Sequence, residues 1–211
     1  MEKLKNDLLE KKLVAIIRNV PTEYNNRLFE AFYSAGIKFS EITLNSANAL
    51  ESIKSLSELY KNKMYIGAGT VLNIKDAEKA INAGAEFIVT PNVDVEVIRY
   101  CVAKNILVLP GAMTPTEIVT CVNAGAEFVK LFPTEVLGSR YVKAIKAPLN
   151  NVNLLAVGGV NLDNMSDFLK SGVCGFGIGS ALYDMKLIEN GDFDEIERIS
   201  SKYVQQAVCD I

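Results

Sequence analysis

Short apolar runs alternate along the chain with stretches that have the apolar period of a helix. Eight runs rich in Val, Ile, Leu and Phe predict β-strands: LVAIIR (13–18), FSEITL (39–44), MYIGAG (64–69), FIVT (87–90), ILVLP (106–110), EFVKLF (127–132), VNLLAV (152–157) and CGFGIG (174–179). The segments between them have helical spacing, as at Ala77, Ala80, Ile81 and Gly84. The pattern therefore predicts eight strand–helix units.

One short sequence occurs twice and marks the borders of these units. Residues 82–89 (NAGAEFIV) and 123–130 (NAGAEFVK) agree at six of eight positions, and weaker copies begin at Ala35 and Ser171. In each copy a glycine can take the left-handed conformation that ends a helix, and a strand starts just after it. The sequence thus repeats a helix-stop, strand-start signal.

Eight such units with short loops and no linker predict an α/β fold, a single (β/α)8 TIM barrel over residues 1–211. An open, doubly wound sheet is the alternative. It is disfavoured because no GxGxxG motif follows the first strand, which runs into Asn19-Val20-Pro21-Thr22.

The amino-acid composition excludes several kinds of catalytic site. The chain of 211 residues has 22 Lys+Arg, 25 Asp+Glu, a net charge of −3 and no His. Without His there is no Ser-His-Asp triad, no HExxH zinc site and no imidazole base. The slightly acidic balance makes nucleic acid and anionic membranes unexpected partners. Acid–base work must therefore depend on Glu, Asp, Lys, Tyr or water.

The cysteines and the N-terminus indicate a cytoplasmic protein. The four Cys form no CxxC pair, which favours reduced, packed thiols. The first apolar run, residues 13–17, has five residues and is too short for a signal-peptide core or a membrane span.

Lys130 is the most distinctive polar residue at the carboxyl ends of the predicted strands, where the active sites of barrel enzymes lie. By the two-residue period of a strand it shares a face with Phe128 and Phe132, so we expect it to point into the barrel mouth. Desolvation there would lower the pKa of the amine and leave enough of it neutral to attack a carbonyl. A solvent-exposed lysine or a structural ion pair is the alternative.

Glu41 is the corresponding acid, on the second strand. Its face also includes Phe39, Thr43 and Asn45, whereas Ile42 and Leu44 face the other way. Glu41 could reach the same cavity and move protons for Lys130, directly or through water. Alternatively it is only a counter-ion for Lys130 or Arg18.

The last two strands both end in glycine. Gly158 and Gly159, then Gly179 and Ser180, would present bare amides where this fold usually binds phosphate, unless they serve tight turns alone. Arg18, at the end of the first strand, could donate two parallel hydrogen bonds to a carboxylate of a ligand. Alternatively, it forms a surface salt bridge.

Several motifs occur in the order of a known family: IIR (16–18), EIT (41–43), GAGTV (67–71), Thr90-Pro91, Pro110-Gly111 with TPTE (114–117), KLFP (130–133) and GGV (158–160). The chain resembles the class I aldolases that cleave 2-keto-3-deoxy-6-phosphogluconate (KDPG) and 4-hydroxy-2-oxoglutarate (KHG). The resemblance implies a (β/α)8 barrel that is usually a homotrimer and needs no metal or other cofactor.

The resemblance also implies roles for individual residues. Lys130 corresponds to the Schiff-base lysine and Glu41 to its general acid/base. The remaining predicted contacts bind the substrate: Arg18 and Thr70 at the carboxylate end, Gly158, Gly159, Gly179 and Ser180 at the phosphate, and Pro91 without a more specific role.

The implied function is cleavage of KDPG to pyruvate and glyceraldehyde 3-phosphate, with KHG, which gives pyruvate and glyoxylate, as a further substrate. A related 2-keto-3-deoxy sugar acid phosphate is an alternative substrate. A sugar-phosphate isomerase or epimerase, or an inactive barrel, are alternative functions. Three positions depart from the family pattern: Asn45 replaces a common Arg, Val157 a common Thr, and Asn92 a frequent Gly.

Overall fold

A ring of parallel strands forms the centre of the protein in a computed structural model that describes residues 1–209; residues 210 and 211 of the expected domain lie outside the described residues. The strands within this range are β1 (Leu13–Ile17), β2 (Phe39–Thr43), β3 (Tyr65–Gly69), β4 (Phe87–Val89), β5 (Leu107–Leu109), β6 (Gly111–Ala112), β7 (Phe128–Leu131), β8 (Asn153–Val157) and β9 (Gly175–Ile178). Their order in the sheet is β5-β4-β3-β2-β1-β9-β8-β7-β6.

Apart from α1, which precedes β1, the helices follow the strands and cover the outside of the ring. Over the described range they are α1 (Glu2–Lys11), α2 (Asn25–Ser34), α3 (Ala49–Leu59), α4 (Ile74–Asn82), α5 (Val95–Ala103), α6 (Pro115–Asn123), α7 (Gly138–Lys146), α8 (Met165–Lys170), α9 (Met185–Glu189) and α10 (Phe193–Val208). A short 3₁₀ helix, Thr22–Tyr24, precedes α2.

The ring closes at Pro110, the last residue of the fifth strand that the sequence predicts (106–110). β5 pairs with β4 and β6 pairs with β7, and the carbonyl of Pro110 between them accepts a hydrogen bond from the Lys130 N–H at 2.9 Å. Proline has no N–H to donate, so the strand changes partner there. The expected (β/α)8 barrel is confirmed, with its fifth strand in two pieces.

Two apolar layers hold the barrel together. Inside the ring, Phe39, Phe87 and Phe128 pack with Leu4 and Leu8 of α1, which lies across the amino-terminal end of the strands. Outside it, strand residues such as Ile42, Val129 and Leu131 pack against the helices. The alternation of faces on β2 and β7 is therefore the one that the sequence pattern predicts.

The repeated helix-stop signal has the expected geometry. Gly84 and Gly125 directly follow the C-caps of α4 and α6 with φ of 104° and 103°, and β4 and β7 begin three residues later. The TPTE motif caps α6: Thr114 Oγ1 accepts from the Glu117 N–H, and Glu117 Oε2 accepts from the Thr114 N–H at 2.8 Å. These motifs have structural roles that require no ligand.

Residues 1–209 contain neither a membrane-spanning helix nor a cluster of metal-ligating side chains. None of the helices there is long and apolar enough to cross a membrane. No group of three or more Cys, Asp or Glu side chains in that range is arranged to hold a metal ion.

Candidate active site

A cavity of about 790 Å³ opens at the carboxyl ends of β1, β7, β8 and β9. It is lined by six of the residues that the sequence singles out: Arg18, Lys130, Gly158, Gly159, Gly179 and Ser180. A smaller cavity of about 10 Å³ lies inside the ring, between Lys130, Glu41 and the apolar side chains beneath them. Lys130 borders both cavities and thus forms the floor of the larger one.

Lys130 is almost fully buried, with 6% of its surface exposed. Its Nζ lies 4.8 Å from the ring centroid of Phe132, which faces the same side of β7. Burial lowers the pKa of the amine, and the Glu41 carboxylate only partly opposes this. The site therefore increases the fraction of neutral, nucleophilic amine relative to a lysine in water.

Glu41 lies across the ring from Lys130, because three strands separate β2 from β7 on each side when β5 and β6 are counted as one. It is 2% exposed, and its Oε2 has no hydrogen-bond partner. Burial raises the pKa of the carboxyl group, while Lys130 and Arg18 oppose the rise. Among the ion pairs within residues 1–209, none joins Glu41 to Lys130. An unpartnered buried carboxyl beside a cavity is poised to exchange a proton with a bound molecule.

Gly69 provides the space that the Glu41 carboxyl occupies. A Cβ added at Gly69 would lie 2.6 Å from Glu41 Oε1, and one added at Gly67 would lie 2.5 Å from the Phe87 ring. These two glycines make room for side chains of the neighbouring strands β2 and β4.

Arg18 lies just beyond the end of β1. Its N–H donates to Tyr183 Oη at 3.0 Å, and the next amide, that of Asn19, donates to Ser46 Oγ at 2.9 Å. Of the residues that line the larger cavity, all within the described range, only Arg18 and Lys130 are cationic. A negatively charged ligand would therefore meet Arg18 as its available guanidinium.

The glycines after β8 and β9 line the cavity. Gly158 and Gly159 have φ of 94° and 72°, a conformation that favours glycine. Thr134 Oγ1 donates to the Gly158 carbonyl at 2.8 Å and Asn164 Nδ2 to that of Gly159, also at 2.8 Å. Among the described hydrogen bonds, the amides of Gly159, Gly179 and Ser180 donate to no protein group. These N–H groups remain available to an anion.

Two residues of the expected site lie apart from these cavities. Thr70 and Pro91 follow β3 and β4, and neither lines the larger or the smaller cavity. The residue before Pro91, Thr90, donates from Oγ1 to the Asn92 carbonyl at 2.6 Å and accepts from the Gly111 N–H at 3.3 Å. Substrate binding by Thr70 and Pro91 stays a prediction.

The three departures from the family pattern differ in position. Asn45 and Asn92 are exposed in turns. Val157 is 5% exposed and borders both cavities beside Lys130, so it gives this part of the wall methyl groups and no hydroxyl.

Sequence reasoning missed Tyr183, Thr134 and Ser46. Tyr183 follows Ala181 and Leu182 in a run that is typical of a packed segment, and its hydroxyl contacts β1 only because of the tertiary fold. Thr134 follows the KLFP motif by one residue, which was the single available signal for it.

The barrel has relatives over almost its whole length. Residues 4–199 match the family model described as KDPG and KHG aldolase. The chain is 39% identical over 172 residues to the 2-dehydro-3-deoxy-6-phosphogalactonate aldolase of Escherichia coli K12, covering 81% of this chain and 84% of the relative. It is 34% identical over 179 residues to the 2-dehydro-3-deoxy-phosphogluconate aldolase of Pseudomonas aeruginosa, covering 84% and 80%.

A solved structure also matches almost the whole chain. The KDPG aldolase from Legionella pneumophila, with pyruvate captured at low pH as a covalent carbinolamine intermediate, superimposes with a TM-score of 0.85. The two chains are 25% identical, and the match covers 92% of this chain and 94% of the other.

Proposed function

Because the chain belongs to the KDPG and KHG aldolase family of carbon–carbon lyases, we propose that it cleaves a 2-keto-3-deoxy-6-phosphohexonate to pyruvate and glyceraldehyde 3-phosphate. Lys130 forms the Schiff base and Glu41 moves the protons. The observation that supports this best is the pair itself, a buried amine and a buried, unpartnered carboxyl that face each other beneath an open cavity.

The first stage joins the substrate to Lys130. The neutral Nζ attacks the C2 ketone and gives a carbinolamine, whose hydroxyl leaves as water when Glu41 supplies a proton. The product is a protonated imine between Nζ and C2. The carbinolamine captured in the Legionella pneumophila relative supports this first step.

The second stage breaks the bond between C3 and C4. Glu41, now ionised, accepts the proton of the C4 hydroxyl, directly or through water, and the C3–C4 electron pair moves into the imine. Glyceraldehyde 3-phosphate leaves and an enamine remains. Protonation at C3 and hydrolysis then release pyruvate and restore the Lys130 amine.

The two ends of the substrate are both anionic, and the cavity offers a partner for each. The Arg18 guanidinium suits the C1 carboxylate, since a planar fork can donate two parallel hydrogen bonds. The free amides of Gly159, Gly179 and Ser180 suit the 6-phosphate. Lys130 lines the same cavity, which places the amine, the guanidinium and the free amides around one bound molecule.

We propose the phosphogalactonate acid as the preferred substrate over KDPG. The two acids differ in configuration at C4 and give the same products, so the mechanism is shared. The higher identity to the phosphogalactonate aldolase, 39% against 34%, supports this choice. So does Val157, because a wall without a hydroxyl cannot hydrogen-bond a substrate hydroxyl that a threonine would bind.

Steady-state assays of pyruvate release test the substrate. We expect kcat/KM for the phosphogalactonate acid to exceed that for KDPG by about tenfold. KHG, which has no phosphate, should be at least about 100-fold slower than either, since it forgoes the charge-assisted hydrogen bonds of the free amides. Equal kcat/KM for KHG and the phosphorylated acids would contradict the phosphate site, and no pyruvate from any of them would overturn the proposed function.

The Gly69→Ala variant tests the placement of Glu41. The new Cβ takes the space of the carboxyl group, so we expect kcat to fall about 100-fold, as for other small displacements of a catalytic group. The free energy of unfolding should change little in comparison, because a flexible side chain end can move away. The measurement is kcat together with a melting curve.

Gly67→Ala is the matched control on the same strand. Its Cβ would meet the Phe87 ring, which cannot move as easily in the core. We expect a lower melting temperature and a nearly normal kcat per folded molecule. If both variants lose kcat to the same extent, strain in β3 explains the loss, and Gly69 has no specific relation to Glu41.

A further inference from the structure

The strands β1 and β9 separate at the mouth of the barrel. Their last paired residues are Ala15 and Ile178, and the chain then turns away at Gly179 to open the cavity. Because the strands separate, the Ile16 carbonyl and the Arg18 N–H have no hydrogen-bond partner in β9. Backbone groups in such a position need another partner.

The hydroxyl of Tyr183 serves both groups. It accepts a hydrogen bond from the Arg18 N–H at 3.0 Å and donates one to the Ile16 carbonyl at 3.1 Å. The tyrosine ring is fixed in the core, 6% exposed and 6.3 Å from the ring of Phe32. Burial raises the pKa of Tyr183 above its ordinary value, so the hydroxyl keeps the proton that it donates.

The same short segment is also held from its other side. The Asn19 N–H donates to Ser46 Oγ at 2.9 Å, and Ser46 Oγ lies 3.0 Å from Thr43 Oγ1 of β2. Two hydroxyl groups, from the segments that follow β9 and β2, thus fix two successive amides. The backbone at Arg18 is therefore held by hydrogen bonds to Tyr183 on one side and to Ser46 on the other.

We propose that Tyr183 is a positioning residue for substrate binding: its hydroxyl fixes the end of β1 and so presets the Arg18 guanidinium for the carboxylate of the keto acid. This inference rests on the proposed function through the role of Arg18. A fixed backbone reduces the entropy that the arginine loses on binding, which strengthens binding without a direct contact. Tyr183 also follows Ser180 by three residues, so one side chain links the segment that meets the phosphate to the one that meets the carboxylate.

The Tyr183→Phe variant tests this inference because the ring and its packing remain and only the hydroxyl is lost. The readout is the rate at which cyanoborohydride reduces the imine between Lys130 and a ketone, measured by mass. We expect the half-saturating pyruvate concentration to rise about tenfold, the effect of losing about one hydrogen bond. The rate at saturating pyruvate should stay within about twofold, because Lys130 and Glu41 are unchanged.

Pyruvamide, which has no carboxylate, distinguishes positioning from general damage. Its half-saturating concentration should be the same in Tyr183→Phe and in the unmodified protein. The control variant Tyr100→Phe, on α5 and outside the cavity, should change neither ketone. An equal rise for pyruvate and pyruvamide would overturn the inference, since it would mean a structural loss unrelated to Arg18.

A double-mutant cycle with Arg18→Ala completes the test. We expect Arg18→Ala to weaken pyruvate binding, and Tyr183→Phe to add less than about twofold in that background. Full additivity would overturn the inference and leave Arg18 as the carboxylate ligand. An Arg18→Ala variant with normal pyruvate binding would overturn both the role of Arg18 and the inference, whereas a complete lack of trapping in the unmodified protein would overturn the proposed function.

Discussion

The Lys130→Met variant should form no adduct with pyruvate and cyanoborohydride, and its kcat should fall on the order of 10⁴-fold or more, because no other group replaces the nucleophile. Methionine has a similar length and no charge, so it fills the same space between the two cavities. Since burial disfavours the ammonium form at this position, the variant should be at least as stable as the unmodified protein. Adduct mass, kcat and a melting curve measure the three quantities.

Lys170→Met is the control for the trapping experiment. Lys170 is exposed at the end of α8, outside the cavity, so its loss should leave the adduct in place. In the unmodified protein the trapping rate should rise as the pH passes through a lowered amine pKa, below the ordinary 10.5 of lysine. An adduct that persists in Lys130→Met would assign the Schiff base to another lysine and contradict the mechanism. A sugar-phosphate isomerase or epimerase, the alternative from sequence, would form no adduct at all.

The sequence predicted the barrel well because the strands of a parallel sheet that helices cover are largely apolar on both faces. Each strand is therefore recognisable as a short apolar run. All eight predicted strands are present, and the helix-stop glycines Gly84 and Gly125 lie where the repeat indicates. The short strand β6, beyond the predicted end at Pro110, was missed, since it depends on pairing with β7 while β5 pairs with β4. The helix α1 was missed because only Leu4 and Leu8 of its residues are buried, which is too short an apolar pattern to indicate a helix.

The candidate site was predictable where it depends on one strand at a time. The period of two placed Lys130 on the inner face of β7 and Glu41 on that of β2, without any knowledge of their neighbours. The reason for Gly69 was not predictable, because the space that it leaves is filled by a side chain of another strand. Tyr183 contacts residues of β1 that are 165 and 167 positions away, so only the tertiary structure brings them together.

Glu41→Gln should lower kcat by about 100- to 10,000-fold, the usual contribution of a positioned acid or base. The glutamine amide has the same shape and still leaves Lys130 in place, so the imine with pyruvate should form, although more slowly. Each later proton transfer then depends on water. A kcat near that of the unmodified protein would contradict the role of Glu41, and Glu58→Gln, an exposed position on α3, is the control.

The same variant should be more stable than the unmodified protein above about pH 5, and the reason follows from linkage. Burial raises the pKa of Glu41 above its ordinary value of 4.5, so the folded state retains a proton that the unfolded chain releases. The stability due to this group is fully present below pH 4.5 and is lost as the pH rises through the folded pKa. Glutamine cannot ionise, so the difference in melting temperature between Glu41→Gln and the unmodified protein should grow from pH 4.5 to pH 8. A difference that shrinks over this range would mean that Glu41 is stabilised as a carboxylate and acts as a counter-ion for Lys130, and a constant difference would mean that folding does not raise its pKa.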